Sequence, residues 1–167
     1  PFGCMGTASD ARAAERPPIR DFTQGGRKDD SHDWNLGPTG IRGWVYGCKG
    51  DTADARQILV TTVAKGSPAD GILNSGDVIL GVGGGNFSGD ARIQFANAIT
   101  AAEQEKSGGL LRLVRWRDGQ STNVELKLPV LGAYSDTAPY DCPKSKKIFE
   151  LGCQAIVKAG LEQANIP

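Results

Sequence analysis

Apolar positions between residues 43 and 130 fall at strand spacing in five places. "GWVYG" is short, aromatic and β-branched, and "QILVTTV" is dense in β-branched residues. "DVILGV" is a third apolar run, closed by "GGGN". Beyond it, "LLRLVRW" and "NVELKLPV" flank the turn "RDGQ", and in the second Val124, Leu126, Leu128 and Val130 alternate with Glu125, Lys127 and Pro129. That arrangement predicts a hairpin.

Two stretches have the other period. In "SGDARIQFANAITAAEQEKSGG", Ala91, Phe95, Ala98, Ile99 and Ala102 recur at three and four, so a helix is expected, capped by Ser88 or Asp90 and ended by Gly108 and Gly109. In "KSKKIFELGCQAIVKAGLEQ", Ile148, Leu151, Ile156, Val157 and Leu161 predict a second helix, read as the first piece of another unit. The connector "AKGSPADGILNSGD" is rich in turn residues, with Ser67 to Asp70 able to open one helical turn. Residues 1 to 33 show no period and read as an extended arm, with Ile19 and Phe22 able to tie it to the body. "GAYSDTAPYDCP" reads as a crossing loop.

These elements suit one core in a chain of 167 residues. Lys plus Arg equals Asp plus Glu at 19 each, so no global field draws nucleic acid or an acidic membrane. No window approaches the run of about 18 apolar residues that a membrane helix needs. The chain opens on a proline, without a basic-then-apolar leader, so a secretory signal is read as already removed. A monomer is expected.

The chemistry-bearing residues do not assemble into a catalytic set. The only histidine, His32, sits between Ser31 and Asp33 in the unpatterned arm, and chain neighbours do not face one another as a triad requires. Ser145 and Lys146 diverge on a helix, and Glu103 and Glu105 lie on different faces. Cys4, Cys48, Cys142 and Cys153 lack metal-binding spacing; they read as buried thiols, or with one bridge between Cys142 and Cys153. No metal or cofactor is expected. "GVGGGN" follows a strand as a dinucleotide loop does, but Asn86 stands at the last glycine position and no βαβ unit follows, so a tight β-turn is the better reading. Arg112, Arg115 and Arg117 around Trp116 read as a solvated strand face, not a nucleic-acid strip.

Before the first strand stands "NLGPTGIRGWVYG", with three glycines and a proline around one arginine. Glycine lets backbone amides turn into a common hollow, and such hollows hold anions.

Taken in order, this loop, "GSPAD", Leu73, "GDVIL" and the Arg117-Asp118-Gly119 turn resemble a PDZ domain in the arrangement of bacterial secreted proteases, over about residues 35 to 131. "NLGPTGIRGW", "LVRWRDGQ" and "GAYSDTAPYDCPKSKKI" are further similar to a bacterial family, read as secreted or periplasmic, in which a PDZ domain precedes a large helical region. The resemblance implies a mainly β fold with two helices: a small bent antiparallel sandwich or partly open barrel over residues 34 to 131, an arm over 1 to 33, and a crossing loop and helix over 132 to 167.

It also implies a non-catalytic module that binds a peptide C-terminus or extended segment by strand addition, the segment belonging to another protein or to its own chain. The implied carboxylate loop is Gly40, Ile41, Arg42, Gly43 and Trp44, with Arg42 either pairing with the carboxylate or bracing the loop. Val45 and Tyr46 continue the groove strand, and Phe95, Ile99 and Ala102 form its helical wall. Phe95 stands where many relatives carry a polar residue, which implies an apolar preference in the ligand. Trp44, Val45, Tyr46 and the helix face have core packing as their alternative role. The alternative function is a degenerate PDZ domain, filled from within by its own arm or tail and docking a following helical or catalytic region.

Overall fold

The computed structural model describes residues 19–25, 33–47 and 52–164. His32, Cys4, Cys48 and most of the arm lie outside the described residues. Nine elements follow in chain order: β1 (Trp34–Asn35), β2 (Ile41–Trp44), β3 (Ile58–Val63), β4 (Val78–Val82), β5 (Gly85–Asn86), α1 (Ala91–Ala102), β6 (Leu110–Arg117), β7 (Gln120–Lys127) and α2 (Pro143–Ala164). The strands make one open, wholly antiparallel sheet in the order β1-β2-β3-β4-β6-β7, with β5 paired to β4. The expected sandwich or partly open barrel is thus realised in its open form.

Local chemistry accounts for most of these boundaries. Gly83 and Gly84 both take positive φ between β4 and β5, which makes the "GVGGGN" stretch a two-residue hairpin turn and not a nucleotide loop. Asp118 and Gly119 do the same between β6 and β7. Asp90 caps α1 by accepting from the Arg92 amide at 2.9 Å, so of the two cap candidates the aspartate serves.

Strand alternation divides the apolar residues between the two faces of the sheet. Ile41, Ile58, Val60, Ile79, Leu111, Leu113 and Leu126 face α1 and form the main core with Leu36, Leu73 and Phe95. Trp44 and Val78 carry a second, smaller cluster with Tyr46, Leu59, Leu80 and Trp116. The arm supplies its lid: Phe22 is buried there, its ring 5.0 Å from that of Trp44. The single turn holding Phe22 is pinned by Gln57, which accepts from the Phe22 amide at 2.7 Å and donates to Asp21 Oδ1 at 2.8 Å. Ile19 does not share this role; it is exposed.

The tail is anchored at its start and bare beyond. Lys144 is buried against Glu103, while Phe149, Ile156, Val157 and Leu161 of α2 are exposed. Cys142 and Cys153 are both free thiols, which overturns the bridge between them. One residue precedes α2 and the other lies eleven positions on, about 16 Å along a helix rising about 1.5 Å per residue, far beyond disulfide reach.

Candidate peptide groove

The glycine-rich stretch folds into a tight hairpin that joins β1 to β2. Gly37 and Gly40 both take positive φ, and Pro38 lies between them in a single 3-10 turn. Gly40 is fixed by space as well: a Cβ there would lie 2.1 Å from Ser67 Cβ, because "GSPAD" folds over the turn. The buried Thr39 hydroxyl donates to the Leu36 carbonyl at 2.9 Å and accepts from the Ile41 amide at 3.2 Å.

Most amides of this turn are therefore committed. Leu36 N–H donates to the Ile41 carbonyl, Gly37 N–H to Asn35 Oδ1 at 2.9 Å, and Gly40 N–H to the Gly37 carbonyl. Gly40 to Trp44, expected as the carboxylate-binding loop, divide between this turn and strand β2. Ile41, Gly43 and Trp44 are buried in that strand.

β2 is paired on both sides. Along one edge Ile41 faces Val63 and Trp44 faces Leu59 of β3. Along the other, Gly43 faces Trp34 and Arg42 faces Asn35 of β1. The segment 34–37 lies between β2 and α1: the Trp34 ring sits 4.6 Å from the Arg92 guanidinium near the helix start, and Ile99 Cδ1 lies 3.7 Å from where a Cβ on Gly37 would be. Leu36 points inward and is 7% exposed. Gly43 makes room for it, since a Cβ at 43 would stand 2.6 Å from Ile58 Cγ2 and 3.1 Å from Leu36 Cδ1.

Arg42 acts as a brace. Its Nη2 donates to the Asp33 carbonyl at 3.0 Å, holding the start of β1. A bulge opposite Arg42 and Gly43 leaves Thr61 of β3 out of the strand register, and its hydroxyl has two acceptors for its one proton, Asp33 Oδ2 at 2.8 Å and the Arg42 carbonyl of β2 at 3.0 Å.

The other expected groove residues separate. Val45 is buried in the main core, and Tyr46 lies on the opposite face beside Trp44, with the Arg20 guanidinium 5.7 Å from the Tyr46 ring and 5.8 Å from the Trp44 ring. Phe95 and Ala102 are 2% exposed and belong to the core. At about 100° per residue these two point within about 20° of each other, while Ile99 is turned about 40° from Phe95, toward Gly37. Of the three helix positions, Ile99 is the one that lies beside Gly37, while Phe95 and Ala102 share the core with Leu36. Sequence reasoning missed Trp34, Leu36, Asp33, Thr61 and Arg92; the one available signal was the alternation Trp-Asn-Leu directly before a Gly-Pro turn.

Arg115 and Arg117 of β6 are tied down, which revises their reading as a solvated face, whereas Arg112 is exposed as that reading expects. Arg117 grips Asp77 with two hydrogen bonds of 2.6 Å, Arg115 donates to the Ile72 carbonyl, and Arg112 pairs with Glu125. Among the described residues no group of three or more His, Cys, Asp or Glu is placed to hold a metal ion, and no helix is long and apolar enough to cross a membrane.

No curated protein matches the chain. The loop, strand and helix order around this groove agrees with a family model: residues 31–107 match the PDZ domain, and β6 and β7 complete the sheet beyond the matched stretch. The chain thus carries a PDZ domain, a peptide-binding protein-interaction module of a generally non-catalytic kind.

Proposed function

We propose that the module recognises an extended peptide by strand addition along β2, opposite α1, with an apolar side chain of the peptide in the pocket beside Gly43 and Ile99. One observation carries this reading: that space already takes an extended segment in antiparallel register, with a leucine side chain buried in it. Main-chain pairing supplies affinity in such a mode, and pockets for alternate side chains supply selectivity. Arg42 stands at the groove edge, where releasing its bond to the Asp33 carbonyl frees its guanidinium for a ligand carboxylate.

The test is fluorescence-polarisation binding of a C-terminal peptide library, with each hit repeated as its C-terminal amide and against Arg42→Ala. Hits that weaken on amidation and again with Arg42→Ala support carboxylate capture. Hits indifferent to both point to an internal segment held by main-chain pairing.

A second reading, an intramolecular docking unit, draws on different contacts. The arm closes one face of the sheet through Phe22, and the tail is bound to α1 through the buried Lys144 and Glu103. Under it the domain holds the regions on either side in place, and no library peptide binds.

A further inference from the structure

We propose that Trp34-Asn35-Leu36 occupies the ligand's own place, so that the partner is a peptide ending in an aromatic residue, a polar residue and leucine, and binds by displacing this segment. The inference rests on the strand-addition reading above. It adds the chemistry of the partner and the step that admits it.

The register carries the argument. Three consecutive residues lie antiparallel to β2, Trp34 against Gly43, Asn35 against Arg42, and Leu36 donating its amide to the Ile41 carbonyl. Leu36 is the last of them before the chain turns away at Gly37, and its side chain is the one buried. A peptide ending at that leucine would set its carboxylate at the turn, where Gly37 now continues the chain. Trp34, two residues back, lies against the Arg92 guanidinium, which favours an aromatic face. Asn35 is exposed between them, which sets no apolar demand at that position.

The segment is built to be removable. It makes only a two-residue strand, and Trp34 is 37% exposed. Much of its grip comes from outside the pairing, through Arg42 on the Asp33 carbonyl and Thr61 on Asp33 Oδ2. Tethered by a short turn, it competes at high effective concentration, so an external peptide sees only the fraction of molecules in which it has opened.

The test uses the full chain and a fluorescent peptide ending in Trp-Asn-Leu with a free carboxylate, alongside the general library. Because the Leu36 amide bonds the Ile41 carbonyl, the neighbouring Asn35 and Arg42 form the closer, non-hydrogen-bonded pair, which suits a cross-link. A double variant, Asn35→Cys with Arg42→Cys, is expected to lose binding when oxidised and to return on reduction to the level of the single variant Arg42→Cys, which already lacks the guanidinium. Thr61→Val, which keeps a β-branched residue in β3, is expected to bind about tenfold tighter than the native protein with an unchanged circular-dichroism spectrum.

Equal binding by the oxidised and reduced double variants overturns the inference and leaves strand addition standing at some other edge. Library binding without any preference for the Trp-Asn-Leu end overturns the ligand assignment. If no library peptide binds the native chain, the reduced double variant or Thr61→Val, the strand-addition reading falls, and this inference with it.

Discussion

Lys144 Nζ lies 2.5 Å from Glu103 Oε2, and both side chains are almost wholly buried, 41 residues apart in the chain. Glu103 closes the last turn of α1, and its carbonyl accepts from the Leu131 and Gly132 amides; Lys144 opens α2 and lies 4.6 Å from the Tyr134 ring. One ion pair therefore joins the groove helix to the tail.

Removing one partner leaves the other charged and buried. Lys144→Met is expected to cost about 3–5 kcal/mol, and pairing it with Glu103→Leu to recover much of that loss. Urea denaturation of the two single variants and the double variant measures the coupling. A simple sum of the two single losses would show that the charges act independently.

Asp77 is buried, takes both bonds from Arg117, and accepts from the Asn74 amide at 2.8 Å, so it closes the turn before β4 and fixes β6 to it. Asp77→Ala is expected to cost about 3 kcal/mol. Arg117→Lys costs about half of that, because an ammonium cannot reproduce the two-pronged contact. Thermal melts rank the variants, and equal melting temperatures for the native chain and Arg117→Lys would refute the bidentate role.

Gly43 is required by contact and not by backbone conformation. Gly43→Ala drives a methyl into Ile58 and Leu36, with an expected cost of about 1–3 kcal/mol. Hydrogen exchange separates two responses. Faster exchange confined to residues 34–41 means that Leu36 gives way, whereas faster exchange at 58–60 means that β3 does.

Hydrogen bonds from the Ser145 side chain and the Ser135 amide lower the Cys142 thiol from 9.0 to about 6. Between these values the unfolded chain holds a proton that the folded chain has released. The resulting stability is complete above pH 9 and is lost as pH falls through about 6. The difference in ultraviolet thiolate absorbance between the native chain and Cys142→Ala is expected to show a midpoint near 6, moved upward by Ser145→Ala. A midpoint in the ordinary thiol range would overturn the assignment.

What the sequence determined by itself was set by neighbours in the chain. The β4–β5 and β6–β7 hairpins follow from paired turn residues between apolar runs, α1 from an aspartate ahead of a helical period, and the PDZ domain from "GSPAD" and "GDVIL" in order. Tertiary structure decided the rest. Three-and-four spacing marks a helix stripe but not what lies opposite, so Phe95 and Ala102 were indistinguishable from Ile99 until the sheet was in place. A two-residue strand has too little length to show a period, which left β1 unread. The charged pairs Asp77 with Arg117 and Glu103 with Lys144 span 40 and 41 residues, and a pair at that distance exists only once folding closes the loop between them. The glycine-rich stretch folds as a closed turn for the same reason: whether an amide faces solvent or its own chain depends on where the neighbouring strand lands.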